Sequence, residues 1–143
     1  MERDEMKLSG RLRILHKRGR RVISDKTIDN LIVTAGKNYV ATFLQAASTA
    51  GFSHIAIGTG ANPEDVANTA LQTETHRQAS SNSVAGNVAE FETTFTSTLV
   101  ETIAEAGLLN NSVGGTMLSR KLIGPHNVIV GDTLTITWQI TVS

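Results

Sequence analysis

The chain has 143 residues, of which 4% are aromatic and none is cysteine, and its 13 basic and 13 acidic residues leave no formal net charge. This length fits one domain with a substantial core, and the lack of cysteine excludes disulfides and cysteine-ligated metals. No segment has the ~20 apolar residues that cross a bilayer, and the charged N-terminus leads into no apolar run. We therefore expect no membrane contact, no secretory signal and synthesis in the cytoplasm of the cell that expresses the chain.

Basic residues are concentrated near the N-terminus. Residues 1–30 contain nine basic and five acidic residues, a balance of +4, whereas residues 31–143 contain four basic and eight acidic residues, a balance of −4. Such segregation favours ordered assembly or an anionic partner, and a hairpin whose charges only keep it soluble is the alternative. We expect these cations to have too few acidic neighbours to be neutralised within the chain. The predicted partner-binding residues are Arg11, Arg13, Lys17, Arg18, Arg20 and Arg21.

The first predicted element is a basic hairpin over residues 8–28. Leu12 and Ile14 alternate with arginines, as in a half-buried strand, and Gly19 supplies the turn. The alternation slips near Val22, which indicates a bulge or an irregular arm. We predict a basic N-terminal arm or hairpin over residues 1–27 and a β-rich assembly domain over residues 28–143, with the core strands after residue 27.

One helix is predicted over about residues 35–47, with Thr34 as its N-cap. Its apolar positions recur at helical spacing and form one stripe, which we expect to pack against a sheet. The stripe consists of Val40, Phe43, Leu44 and Ala47.

The remainder of the chain has the period-two pattern of strands. Strands are predicted at residues 53–57, 88–95, 117–123 and 133–142, and a polar exposed strand is predicted within residues 73–84. In the last strand one face is apolar and consists of Leu134, Ile136, Trp138, Ile140 and Val142. The opposite face is uncharged and consists of Thr133, Thr135, Thr137, Gln139 and Thr141. The predicted fold is therefore mainly β (α+β), a compact antiparallel sheet or barrel-like domain with one packed helix.

No segment has the pattern of a catalytic, cofactor or metal site. The Gly58–Gly60 stretch lacks the third glycine and the Lys-Ser/Thr of a phosphate loop, and a turn that closes a strand explains it better. The four histidines are scattered, although His54 could approach Glu74 and His76, and we expect them to be solvated. Glu90 and Glu92 share a strand face but lack the aromatic platforms of a sugar cleft. We predict no enzyme, no cofactor and no metal.

Nucleic acid is not the expected partner of the basic stretch. No aromatic residue interleaves with the arginines, and no recognition helix or ribonucleoprotein motif accompanies them. Phosphate binding by charge alone stays an alternative, and an acidic protein surface fits equally well.

Six segments have a distinctive order and spacing: 30–36, 53–60, 69–74, 102–109, 114–120 and 132–138. Taken together, over roughly residues 28–142, they resemble small structural proteins of tailed bacteriophages, called capsid decoration (cement) or tail-fibre-like proteins. The resemblance implies a β-rich domain without catalytic residues, assembled on the virion, often as a homotrimer.

The sequence therefore leads to the hypothesis of a capsid decoration protein. Its expected partners are the major capsid protein and copies of itself, and its expected location is the capsid surface. A tail, baseplate or tail-fibre-associated structural protein is the alternative, and a compact domain with a charged arm favours the capsid because a fibre usually has a long shaft.

Overall fold

The computed structural model describes residues 5–45 and 50–143, which contain nine strands and one helix. The strands are β1 (Leu8–Arg18), β2 (Arg21–Asp29), β3 (His54–Gly58), β4 (Glu74–Ala79), β5 (Ser81–Ala85), β6 (Val88–Thr96), β7 (Glu101–Leu109), β8 (Met117–Val128) and β9 (Thr133–Val142), and helix α1 spans Thr34–Phe43. The predicted mainly-β fold with one packed helix and a basic N-terminal hairpin is confirmed.

The strands form two antiparallel sheets with their main core between them. The five-stranded sheet has the order β2-β1-β9-β6-β5, and the four-stranded sheet has the order β4-β3-β7-β8. The inward faces alternate with outward polar faces, as an antiparallel sandwich requires. The predicted apolar face of β9 is buried from Leu134 to Ile140, and Trp138 has no exposed surface. Val142, at the end of the strand, is 37% exposed.

The hairpin contributes a core strand, which corrects the expectation that the core strands begin after residue 27. β1 pairs with β9 over ten positions, from Leu8 opposite Val142 to Lys17 opposite Thr133. Its inward side chains Leu12 and Ile14 are fully buried in the main core. The hairpin turn contains Gly19 at φ +60°, and a bulge lies beside it between His16 and Lys17, close to the predicted slip.

Helix α1 packs on β8 through a glycine. A Cβ at Gly36 would lie 2.6 Å from the Cα of Leu118, so only glycine permits this close approach. The predicted cap is wrong, because Val33 occupies the N-cap position and Thr34 begins the helix.

The predicted helical stripe is wrong at Leu44, which is the C-cap residue after the helix has ended at Phe43 and is 77% exposed. Val40 packs against the core together with Tyr39, and Phe43, although 37% exposed, meets the rings of Tyr39 and Phe52 edge to face, with centroids 5.2 and 6.3 Å away. Ala47, with the end of the predicted helix, lies outside the described residues.

A second, smaller core lies on the other face of the four-stranded sheet, under the segment 59–73 that joins β3 to β4. Successive side chains of β3 point to opposite faces of the sheet, so Ile55 and Ile57 belong to the main core and Ala56 to the second. The second core consists of Val33, Ala56, Leu71, Leu109 and Met117. The molecule therefore has three layers, with the four-stranded sheet in the middle.

Candidate interaction surface

The six predicted partner-binding residues all lie on the β1–β2 hairpin, but they do not share one face. Arg11 and Arg13 extend from the outer face of β1, opposite Gln139 and Thr137 of β9. The other four flank or follow the hairpin turn and are exposed or half-buried: Lys17, Arg18, Arg20 and Arg21. The structure therefore divides the predicted set between a sheet face and the end of the sandwich.

The sheet face around Arg11 and Arg13 carries both signs of charge. Glu90 and Glu92 extend from β6 onto the same face, as the period-two pattern predicted. Gln139 of β9 donates to Glu90 at 3.0 Å, and Thr137 donates to Glu92 at 2.7 Å. The uncharged Thr/Gln face of β9 thus lies between two arginines and two glutamates, and this surface is not a uniformly basic patch.

Two of the predicted residues are neutralised within the chain, against the expectation that they lack nearby acidic partners. Arg13 forms a bidentate ion pair with Asp25 of β2, at 2.8 and 2.7 Å. The hydrogen bonds from Arg13 lower the pKa of the Asp25 carboxyl. Arg18 pairs in the same bidentate way with Asp132, at 2.9 and 3.0 Å. In the described part of the chain, Arg11, Lys17, Arg20 and Arg21 have no ion pair.

Asp132, in the turn between β8 and β9, links three segments of the chain. Its side chain is 1% exposed, and it accepts hydrogen bonds from Arg18, from His16 at 2.8 Å and from the backbone N–H of Ile129 at 3.1 Å. The hydrogen bonds from Arg18 dominate, and they hold the pKa of Asp132 far below its usual value. The backbone of Asp132 also accepts from the N–H of Ser97 at 2.8 Å.

These bonds bring together the hairpin turn, the β6–β7 loop and the β8–β9 turn at one end of the sandwich. We call this region, residues 17–23, 97–100 and 129–132, the loop end. It exposes six aliphatic side chains: Val22 (54%), Ile23 (38%), Leu99 (44%), Val100 (73%), Ile129 (41%) and Val130 (65%). The sequence analysis missed them, although each segment contains an adjacent apolar pair beside a turn, which is a signal that could have found them.

The expectation of solvated histidines is wrong for His16 and His126. Both are at least 96% buried, and their rings meet edge to face with centroids 5.9 Å apart. His126 is within hydrogen-bonding distance of the carbonyl of Ile123, and burial lowers its pKa. His16 is in phase with Leu12 and Ile14 in β1, which is a signal that could have found it, whereas His126 lies beyond the predicted strand at 117–123 and is buried because β8 continues to Val128.

The histidine and carboxylate pair considered as a metal site does not assemble. His76 lies 2.9 Å from Glu101 rather than beside His54, which is at the other end of the β3–β4 pair. Glu74 is engaged by Arg77 at 2.7 and 2.9 Å. No group of three or more potential ligands occurs among residues 5–45 and 50–143.

The Gly58–Gly60 stretch closes β3, and its glycines make room for a buried ion pair. A Cβ at Gly58 or Gly60 would lie within 2.8 Å of the carboxylate of Glu105. Glu105, on β7, accepts from both Arg120 of β8 and the backbone N–H groups of residues 72 and 73. This arrangement attaches segment 59–73 to the sheet and is structural.

Comparison of this chain with protein-family models, with curated proteins and with solved structures finds no match. Among the helical residues that the structure describes, none forms a helix long and apolar enough to cross a membrane.

Proposed function

We propose that this chain is a non-enzymatic structural protein of a tailed bacteriophage, a capsid decoration (cement) protein that binds the major capsid protein and stabilises the shell. The order of its segments supports the phage assignment through the resemblance described above. The observation that carries the binding role is the exposed cationic group on the hairpin, Arg11, Lys17, Arg20 and Arg21, which has no ion pair within the described residues.

Attachment by this group depends on several weak contacts acting together. An exposed ion pair contributes ~0–1 kcal/mol, so no single residue holds the protein on an acidic surface. The contacts share one hairpin, and β1 of that hairpin is held in the sheet by ten pairs with β9. A rigid hairpin presents its cations in the same arrangement in every copy of the protein. This fits a capsid, which offers the same acidic surface many times. Binding of this kind weakens with salt.

We also propose that the protein assembles as a homotrimer on the capsid surface. The described chain has an accessible surface of 8049 Å², and a standard contact removes ~800 Å² from each partner, about a tenth of that surface. Strand β5 forms one edge of its sheet, is exposed throughout and carries no charge, so it offers a surface for self-contact without burial of ions. Light scattering on the free protein, and the number of copies around each local axis of a virion reconstruction, test this arrangement.

The proposed function is tested by cosedimentation of the purified protein with empty, DNA-free capsids across a salt series. Substitution is preferable to deletion of residues 1–27, because deletion would remove a core strand. Arg20→Gln with Arg21→Gln should weaken capsid binding, whereas Lys7→Gln with Lys37→Gln removes the same charge elsewhere and should not. Equal binding by both double variants would exclude the hairpin from the mechanism.

A tail-associated protein and a DNA-binding protein would each give a result different from that of a decoration protein. A tail, baseplate or fibre-associated protein would be present in a handful of copies per virion, whereas a decoration protein is present in numbers comparable to the capsid subunits. If duplex DNA were the partner, four phosphate contacts would give a log–log salt slope of about −3.6, and binding to empty capsids would fail.

A further inference from the structure

We infer that the loop end is a docking surface for an acidic protein surface that also presents apolar side chains. This inference rests on the proposed function, because it treats the chain as a binding protein. It places the centre of binding at the three segments of the loop end, which are remote from one another in the sequence, and not at Arg11 and Arg13 on the sheet face.

The first observation is the concentration of exposed aliphatic side chains at the loop end. Val100 and Val130 are 73% and 65% exposed, and each lies next to a second exposed aliphatic residue in its segment. Exposed apolar residues are unremarkable when scattered singly, but a group rimmed by polar residues is typical of an interaction site. The partner must therefore contact the aliphatic side chains of the loop end as well as its charged groups.

The second observation is that buried bonds hold the three segments in place. Asp132 accepts from Arg18 and His16 of the hairpin, while the N–H of Gly131 donates to the carbonyl of Ser97 at 2.9 Å. A surface ordered before binding loses less conformational entropy when the partner arrives. The loop end is therefore preorganised although it consists of turns.

The third observation is the sign of the charge around these side chains. Lys17, Arg20 and Arg21 flank the hairpin turn and have no ion pair within the described residues. The nearest carboxylates already have partners, since Asp132 is bound by Arg18 and Glu101 lies 2.9 Å from His76. The charge that complements the loop end is negative.

A second copy of this chain does not supply that complement. Asp29 lies opposite Arg11 across the β1–β2 pair, and Asp65 accepts from the backbone N–H of Ala67. Seven of the described carboxylates are held in ion pairs of their own: Glu5, Asp25, Glu64, Glu74, Glu101, Glu105 and Asp132. Glu90 and Glu92 lie on the sheet face that also bears Arg11 and Arg13. Nucleic acid fits less well than protein, because the loop end has no aromatic residue for stacking and a phosphate backbone leaves the aliphatic side chains uncovered.

The test uses nuclear magnetic resonance on the full chain, which at 15.3 kDa is small enough for residue-by-residue assignment. The probe is a synthetic peptide of alternating glutamate and leucine, compared with poly-glutamate and with a DNA duplex at equal anionic charge. We expect the Glu–Leu peptide to bind most tightly and to shift amide signals of residues 17–23, 97–100 and 129–132. Signals that move mainly around Arg11 and Arg13, or tighter binding of DNA, would overturn the inference.

Val130→Asp is the sharpest variant, because it removes an exposed aliphatic side chain and places an anion among the cations. We expect it to weaken peptide binding at least about tenfold, which corresponds to the loss of one buried valine contact. Val113→Asp is the matched control: Val113 is 80% exposed in the β7–β8 loop at the opposite end of β7, and this change should leave binding unaltered. Equal effects of the two variants would show that net charge alone governs binding and would refute the docking surface.

Capsid binding by the same proteins separates the two proposals. If wild type binds the peptide at the loop end but does not bind empty capsids, the decoration function fails and the docking surface stands. If wild type and Val130→Asp bind capsids equally while Val130→Asp loses the peptide, the docking surface stands, but the loop end is not the surface that binds the capsid.

Discussion

Replacement of Arg120 by methionine would leave the carboxylate of Glu105 buried without its cation. Arg120 is 1% exposed and Glu105 is fully buried, and the guanidinium donates to Glu105 at 2.9 and 2.8 Å. The same guanidinium donates to the carbonyl of Asn62 at 3.1 Å and to the side chain of Asn68 at 3.2 Å. A third bond joins it to the carbonyl of Pro63 at 3.4 Å, so the substitution removes both the counter-charge and three attachments of segment 59–73.

The expected cost follows from these contacts. Removal of one partner of a buried ion pair typically destabilises a protein by ~3–5 kcal/mol, because the remaining charge is desolvated and uncompensated. For a domain of this size, ~2–4 °C in Tm accompanies each kcal/mol, so Arg120→Met should lower Tm by about 10 °C. Glu105→Gln should have a comparable effect, since it leaves Arg120 as the buried charge.

The double variant, Glu105→Leu with Arg120→Met, tests the reason for this cost. Apolar replacement of both members of a buried pair is often neutral, but here the backbone N–H groups of Gln72 and Thr73 would lose their acceptor. The double variant should therefore be destabilised by only ~2 kcal/mol, less than either single variant alone, because neither buried charge is left uncompensated.

Urea unfolding measures these free energies, and limited proteolysis reports on the attachment of segment 59–73. Arg120→Met should expose this segment to cleavage before the sheets unfold, because its three guanidinium attachments are lost. A free energy of unfolding within ~1 kcal/mol of wild type, with unchanged cleavage, would refute the assignment of Glu105 and Arg120 as the bond that holds the segment.

Three further outcomes are expected, each checked by thermal or denaturant unfolding. Trp138→Ala should cost ~3–5 kcal/mol because a fully buried ring leaves a cavity, whereas Trp138→Phe should cost less because the indole N–H has no acceptor within the described residues. Gly36→Ala should cost ~1–3 kcal/mol because its Cβ would meet the backbone of Leu118 at 2.6 Å. Burial lowers the pKa of His126 below its usual value of 6.5. The stability that the neutral, buried ring contributes is therefore present above that pH and is lost as the pH falls. His126→Gln should make the free energy of unfolding less dependent on pH between about pH 7 and pH 5.

Local patterns in the sequence predicted the half-buried strands correctly because an antiparallel sandwich buries one face of each of them. They missed β7, which is buried on both faces from Ile103 to Leu109 and therefore does not alternate, and they merged β4 and β5 into one exposed strand. The alternation in β9 places Trp138 inside and Thr137 outside, and the same period separates Phe91 from Glu92 in β6. Gly19 predicted the hairpin turn through its positive φ. The buried face of a strand and the position of a turn both depend on neighbours within a few residues. Hydrophobic periodicity carries information over that range.

The helix shows where periodicity is insufficient. The stripe predicted a buried Leu44, yet α1 ends at Phe43 and leaves Leu44, its C-cap residue, 77% exposed. The contact that positions the helix joins Gly36 to Leu118 of β8, which is distant in the sequence. Such contacts override local propensity because helices of this length gain most of their stability from packing.

Composition alone determined that the chain has a basic N-terminal region and a body of opposite charge, and alternation determined that this region contains a hairpin. Only the tertiary structure decided which cations are free, because Asp132 reaches Arg18 across 114 positions and Glu105 meets Arg120 beneath a loop. The loop end likewise exists only in the folded chain, since its segments are joined by hydrogen bonds between turns that are remote in sequence. Pairings of this kind depend on which strands become neighbours, and periodicity does not encode strand order.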